Sequence, residues 1–299
     1  FLQSGSKKPK HINVVTPIYP LEVIKSKKSQ RLIIDTQFVD QLIETLHLAL
    51  HKSQKDILIF LPGLSEINFV KKQLHDKFKN LEINILHGSM LIDEQKKILL
   101  ESSSNSPTRR LILSTNIAES SLTIPSIDCV IDSALVKKSI AEVKIGFKKL
   151  EVSRISLFSA KQRAGRAART GPGICFQLWH ALDERSMPNS IQPEVLTSDL
   201  LEESITLLSL GIQNPDNFSW LDKPTTSFKQ AIDKLQKWGL VNTEKGRLAQ
   251  STPLDIEKSF LFIELSLHGM QKAASTFLAF LETTNFEKLT EPIDLEQLK

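Results

Sequence analysis

Asp56–Gly63 reads DILIFLPG, an unbroken apolar run closed by Pro-Gly. A strand with one face in water alternates apolar and polar residues. A run with no polar interruption predicts a strand covered on both faces, as in a parallel sheet with helices on either side. Pro-Gly ends the strand. Leu64, Ile67, Val70, Leu74 and Phe78 then recur at helical spacing on one side.

The same rhythm extends both ways. Upstream, Phe38, Leu42 and Leu46, with Val39 and Ile43, mark a helix that Asp35 or Thr36 can cap. Downstream, Glu82–Leu86 predicts a strand, Ile92–Glu101 a helix, and Arg109–Ser114, Ile127–Asp132 and Gly173–Trp179 further strands. Strands alternating with helices of these lengths predict a doubly wound α/β lobe over roughly residues 31–180. Lys138–Arg154 interrupts the alternation as a β-hairpin turning near Gly146. Residues 1–30 are polar with short β-like pieces, HINVV and PLEVI, and are expected to be a lead-in.

Beyond Trp179 the pattern turns helical. Leu200–Leu210 is a helix, and Phe228, Ala231, Ile232, Leu235 and Trp238 mark an amphipathic one that stops at Gly239. LVNTEKGRL (Leu240–Leu248) can form a short strand pair, so a winged-helix module is expected over 181–252. Two further helices, in SFLFIELSLHGM and AASTFLAFL, predict an all-α unit over 253–299, one the chain is expected to leave incomplete.

The 299 residues are 40% hydrophobic and 24% charged, the balance of a soluble globular protein. No apolar run approaches the ~20 residues of a transmembrane helix, so no membrane partner is expected. FLQSGSKKPKH has neither an initiator Met nor an apolar core, which argues against a signal peptide and for a cut within a longer polypeptide. Cys129 and Cys175 each lie in an apolar stretch, outside any CxxC pair, and no metal-ligand spacing appears with the seven histidines. Inert buried thiols fit a reducing cytoplasm, and no metal site is expected in this chain. The net charge is +4, but Lys137–Gly173 carries ten Lys or Arg against Glu142 and Glu151, a local +8 that leaves −4 for the rest. Such a field suits a phosphate-bearing partner.

Within it lies SAKQRAGRAARTGPG, Ser159–Gly173. In a helix, Gln162, Arg166 and Arg169 fall at i, i+4 and i+7 and share a face, between Ala164, Gly165, Ala167 and Ala168. Two guanidiniums and an amide on a low surface suit a phosphate group. Gly165 costs a helix about 1 kcal/mol relative to Ala, which close backbone packing would justify. Two more motifs follow strand ends, where ligands bind in open α/β sheets. In FLPGLSEI, Gly63 either permits close backbone approach to a sugar–phosphate chain or simply makes the turn. In STNIAESSLTI, Thr115 and Asn116 can hold backbone phosphates, and Ser121 and Thr123 can face a nucleotide, unless the loop is turn chemistry alone. No GxxxxGK[ST] and no DEAH or DExH pair occurs, so the groups that cradle nucleotide phosphates and hold Mg²⁺ in P-loop enzymes are missing.

The order of these motifs resembles the DEAH/RHA branch of superfamily 2 helicases over essentially the whole chain, and especially bacterial HrpB-type proteins. The resemblance rests on YPLEV, FLPG, TNIAES-LTI, QRAGRA followed by PG, and WLDKP…LxxWGLV…GRLA. It implies a RecA-like, P-loop NTPase-like second lobe, a winged helix and the start of a helical ratchet-like domain. The activity implied is that of an ATP-dependent RNA helicase or translocase, with ATP and Mg²⁺ bound mainly by a first lobe upstream in cis and single-stranded RNA as partner. Gln162 would position the attacking water, and Arg166 and Arg169 would be arginine fingers, contributing ~10³–10⁵ in rate. Arg163, off that face, would make a structural or interlobe ion pair. The hairpin would guide RNA through Lys144, Lys148 and Lys149, and Leu99 would stand where relatives stack a Phe on the base, so base selectivity is expected to be low. Ala168 and Pro125 depart from the family pattern, the first mildly, the second removing an acid. Two other readings compete: a nucleic-acid-binding or scaffolding module without motor activity, and a DNA-directed helicase.

Overall fold

The computed structural model describes residues 19–100, 108–120, 124–142 and 147–283. They fall into two compact units that divide between Ile191 and Gln192. In the first unit the strands are β1 (Leu21–Lys25), β2 (Asp56–Phe60), β3 (Glu82–Leu86), β4 (Arg110–Ser114), β5 (Ile127–Asp132), β6 (Leu135–Glu142), β7 (Phe147–Arg154) and β8 (Gly173–Gln177). Its helices are α1 (Thr36–Lys52), α2 (Leu64–Lys77), α3 (Ile92–Leu100), α4 (Ile117–Ser120) and α5 (Leu157–Ala164).

Six strands form one sheet in the order β1-β8-β5-β2-β4-β3, every neighbouring pair parallel. This is the parallel sheet, covered on both faces, that the uninterrupted apolar strands predict. Alternate residues of each strand serve opposite layers. Ile57, Ile59, Leu111, Leu113, Cys129 and Ile131 pack with Leu42 and Leu46 of α1 and Ile67, Val70 and Leu74 of α2. Leu58, Phe60, Ile112, Val130 and Cys175 face the other side, against Ala118, Ala164 and Ala167. Asp35 rather than Thr36 caps α1, its Oδ1 accepting from the Phe38 N–H at 3.0 Å.

The lobe is wider than residues 31–180. PLEVI, expected in a lead-in, is the edge strand β1, with Leu21 to Lys25 opposite Gly173 to Gln177. As an edge strand it is only half covered, with Val23 exposed, so it lacks the apolar density that marks the other strands. At the other end, Met187 packs with Trp179 and Ile155, and the Leu157 N–H donates to Pro188 O at 2.9 Å.

β6 and β7 pair antiparallel from Leu135↔Arg154 to Glu142↔Phe147, so the hairpin starts a little before Lys138. Its turn, with Lys144 and Gly146, lies outside the described residues. Ala134 (φ 65°) makes the corner from β5 into β6. The Ala134 N–H donates to Asp132 Oδ1 at 3.0 Å, and Ala134 O accepts from the Ile155 N–H at 2.8 Å. Those bonds hold a non-glycine residue in the left-handed region.

At the other end of the strands, where β2 and β4 begin, Asp56 and Arg110 are both buried. Asp56 Oδ2 accepts from Arg110 Nε (2.8 Å) and Nη2 (2.6 Å), and Oδ1 accepts from the Arg110 N–H (3.0 Å). Ser126 Oγ and Ile98 O take the remaining guanidinium donors. The pair fastens β2 to β4 and to the entry of β5.

The second unit holds α6 (Leu201–Ser209), α7 (Thr225–Lys237), α8 (Glu244–Ser251), α9 (Ile256–Leu267) and α10 (Gln271–Thr283). Phe228, Leu235, Leu201, Ile205, Ala249 and Ile263 share its core. Phe260 of α9 stacks on Trp238 (4.6 Å, 7° between planes), with Lys234 over the indole and Lys245 over the phenyl ring, each at 4.8 Å. Glu257 and Glu264 pair with those two lysines.

Leu240–Leu248 is not a strand pair but a turn followed by α8. Gly239 (φ 66°) and Asn242 (φ 55°) reverse the chain, and Thr243 Oγ1 caps α8 by accepting from the Gly246 N–H at 3.1 Å. Gly246 lies so close to Leu240 that a Cβ would stand 1.9 Å from its carbonyl oxygen. The cap and this approach override the β-like reading of Leu-Val.

Asp56→Ala strands a buried guanidinium, which costs about 3–5 kcal/mol. Urea unfolding of the chain is expected to show a loss of that size.

Candidate functional site

α5 begins at Ser156, whose Oγ accepts from the Ser159 N–H at 3.0 Å. It ends at Ala164, sooner than a helix through Gly173 would. From Arg166 to Ala168 the N–H groups bond three residues back, to Arg163, Ala164 and Gly165. The tightening has a cause at Gly173, where β8 starts hard against Ala167: a Cβ there would lie 2.2 Å from the Ala167 oxygen. In such a three-residue turn, side chains at i and i+3 eclipse, so Arg166 and Arg169 stay on the side that Gln162 occupies.

Gln162, Gly165, Arg166 and Arg169 together line a depression of about 300 Å³. Arg166 is buried and Arg169 exposed. Burial, and then the neighbouring Arg169, lower the Arg166 pKa from its ordinary value. Like charges converging on a partly desolvated hollow are what a bound phosphate would relieve. The donor set fits a phosphate group. Among the described residues no group of three or more His, Cys, Asp or Glu could hold a metal ion.

Gly165 is not explained by the close packing its sequence suggests. Its φ is −60°, and a Cβ would meet only the Gln162 and Lys161 oxygens at 3.4 Å. Close backbone packing falls on Gly173 instead. Gly165 lines the hollow.

Arg163, one residue after Gln162 and off that face, is 1% exposed. Its Nε donates to Glu119 Oε2 at 2.9 Å, and its Nη1 donates to Asp132 Oδ1 at 3.0 Å and Leu135 O at 3.2 Å. The guanidinium also lies 4.8 Å over the Phe60 ring. The expected ion pair is therefore structural and internal to this unit. Burial raises the Asp132 pKa, against the pull of Arg163.

Arg166 Nη2 donates to the backbone oxygen of Glu119. Glu119 thus joins the arginine turn to Thr115 and Asn116, which sit beyond β4 with their oxygens accepting from the Ala118 N–H (3.4 Å) and the Glu119 N–H (2.9 Å). Asn116 is exposed and Thr115 half-buried. Neither is among the residues lining the hollow.

Gly63 is the N-cap of α2, and where its Cβ would be, the Lys137 stem lies 2.7 Å away. Lys137 Nζ reaches Ser65 Oγ at 2.8 Å and Glu66 at 3.2 Å. The missing side chain of Gly63 thus makes room for the hairpin root. Leu99 is half-buried against the apolar layer with Ile98 and Met90, away from the residues lining the hollow. Lys148 and Lys149 stand on β7 opposite Ala141 and Ile140. Their side chains, and Ser121, Thr123 and Lys144 entirely, lie outside the described residues. Glu119, Asp132 and Lys137 went unremarked in the sequence, although an acid closing the apolar IDCVID is a signal that could have found Asp132.

Comparison with known proteins adds identity to this geometry. Residues 24–171 match the helicase conserved C-terminal domain. The ATP-dependent RNA helicase HrpA of Borreliella burgdorferi is 31% identical over 299 residues, spanning 95% of this chain and 36% of that protein. The splicing factor ATP-dependent RNA helicase prp22 of Schizosaccharomyces pombe is 30% identical, covering 89% of this chain and 24% of its own length. A crystal structure of the E. coli DExH-box NTPase HrpB superposes with a TM-score of 0.75 at 28% identity, over 94% of this chain and 34% of that one. The chain thus spans about a third of HrpA and of HrpB. Among the described residues no helix is long and apolar enough to cross a membrane.

Two substitutions separate packing from site. Gly165→Ala meets no clash and is expected to stabilise the chain by about 0.4–1 kcal/mol, whereas Gly173→Ala is expected to destabilise it, both read by thermal unfolding. Arg163→Met leaves Asp132 buried and uncompensated, at a cost of about 3–5 kcal/mol near neutral pH. Because burial raises the folded-state pKa of Asp132 above 3.8, the folded state takes up that proton first. Part of the lost stability should return as pH falls through the raised value, which unfolding curves at several pH values would record.

Proposed function

Residues 24–171 belong to the helicase conserved C-terminal domain family and the chain is of DEAH/RHA type, similar to HrpA and HrpB; from this premise we propose that it is the second RecA-like lobe, with accessory helical domains, of an ATP-dependent RNA helicase or translocase. The observation that carries the reading is the hollow lined by Gln162, Gly165, Arg166 and Arg169. It has the donors for a γ-phosphate, in a sequence with no P-loop and no DEAH pair to hold the rest of a nucleotide. The site is therefore half of a cleft, completed by a P-loop-bearing lobe that brings the nucleotide and Mg²⁺.

In that cleft Arg166 and Arg169 offset charge that develops on the transferring phosphoryl group. Gln162, one turn before Arg166, holds the attacking water through its amide. Gly165 leaves space for the phosphate to approach the turn. ATP, when bound, supplies the scissile anhydride, and Mg²⁺ is held by the partner lobe. Thr115 and Asn116, with the FLPG turn, contact the sugar–phosphate backbone of single-stranded RNA, and the β6–β7 hairpin lies along its path. Backbone contacts carry no base information. Residues 192–252 and 253–299 correspond to the winged-helix and ratchet-like parts, the first with α8 in place of the expected strand pair. A cytoplasmic location fits the two buried thiols.

The test is NTP hydrolysis, with and without RNA or DNA, by a polypeptide that joins this chain to a P-loop-bearing lobe. Arg166→Ala and Arg169→Ala are each expected to lower kcat by roughly 10³-fold or more while RNA binding persists. Turnover at the unmodified rate in both variants would overturn the finger assignment. This chain alone is expected to hydrolyse nothing, and activity from it would overturn the half-site reading.

A further inference from the structure

Arg166 sits in a crowded cationic neighbourhood. Arg166 and Arg169 line the same hollow, and the proximity of Arg169 lowers the Arg166 pKa further after burial. Glu119 lies between Arg163 and Arg166. Glu119, with its side chain 13% exposed, accepts from Arg163 Nε at 2.9 Å, and its own backbone oxygen accepts from Arg166 Nη2. A single residue therefore grips both arginines, one by its carboxylate and one by its carbonyl.

That grip is set by the shortness of α4. The helix has four residues, and the Glu119 N–H donates to Asn116 O at 2.9 Å, so Glu119 is tied directly to the end of β4. Any rotation of its peptide would move the oxygen that holds Arg166. The carboxylate resists this rotation because its partner, Arg163, is immobilised by Asp132, Leu135 O and the Phe60 ring.

We propose that Glu119 is a positioning residue for the nucleotide site: its carboxylate, anchored on buried Arg163, fixes the carbonyl that aims Arg166 into the hollow. The proposal rests on the reading of Arg166 as an arginine finger. It assigns Glu119 no contact with nucleotide or water. Its charge acts on Arg166 as well as on Arg163.

The experiment uses Glu119→Gln in the polypeptide that joins this chain to a P-loop-bearing lobe. Glutamine keeps the shape and an acceptor for Arg163 but removes the charge. Misplacement of a catalytic group by small distances costs up to about 10²-fold, so kcat is expected to fall roughly 10–100-fold, with KM for ATP and affinity for RNA unchanged. Affinity for ADP with aluminium fluoride, which mimics the transferring phosphoryl group, should fall in parallel, while affinity for ADP alone holds. A merely structural role would weaken both or neither. Glu119→Gln added to Arg166→Ala should lower kcat no further than Arg166→Ala alone.

Turnover and analogue affinity equal to the unmodified protein in Glu119→Gln, with Arg166→Ala inactive, would overturn this proposal and leave the finger reading intact. An active Arg166→Ala would overturn the finger reading itself, and this proposal with it. If Glu119→Gln melts below the assay temperature, Glu119→Asp is measured the same way. It keeps the charge with a shorter reach, and its kcat and analogue affinity should again fall together; a fall in neither overturns the proposal.

Discussion

A guanidinium cannot be left inside a protein without partners, because the cost of desolvating it is several kcal/mol. Arg163 is buried to 1% exposure, and the structure converges on satisfying it. Its partners come from beyond β4 (Glu119), the end of β5 (Asp132), the first residue of β6 (Leu135) and the last of β2 (Phe60). Four strand ends and α5 are therefore gathered at one point. With Arg163 turned inward, helical geometry turns Gln162 and Arg166 to the side, and the tight turn that follows keeps Arg169 with them.

Arg163 and the two arginines after it have different surroundings. Arg163 has two carboxylates and a carbonyl. Arg166 and Arg169 stand near each other around a hollow, and their mutual repulsion is part of what lowers the Arg166 pKa. The backbone conformation of Gly165 would accept a Cβ. The residue lines the hollow, whereas Gly173 is small because β8 starts against Ala167.

Much of the fold was legible because buried parallel strands have a strong and local signature. β2, β4 and β5 are runs of apolar residues in sequence and are covered on both faces in the structure. β1 was less so, because an edge strand needs only half the apolar content, and its place in the sheet depends on β8, about 150 residues later. Leu240–Leu248 misled for another reason. Leu-Val-Asn-Thr has the residues of a short strand, but a threonine cap and a glycine pressed on Leu240 favour the helix, and the second is a tertiary contact. Of the site, the arginines and Gln162 were legible from their spacing, whereas Glu119, Asp132 and Lys137 were not, because what they hold is distant in sequence.

The sequence by itself determined the alternation of strands and helices, the parallel sheet, and the set of cationic and amide groups gathered in Ser159–Gly173, since each depends on local periodicity and residue chemistry. Only the tertiary structure decided that the ion pairs of Arg163 are internal to its own unit, and with which carboxylates they form. Arg163, Arg166 and Arg169 are chemically identical, and spacing alone cannot say which carboxylates will be near. That choice depends on where β4 and β5 end, and the sheet order that brings Glu119 and Asp132 to the same guanidinium is a property of the fold as a whole.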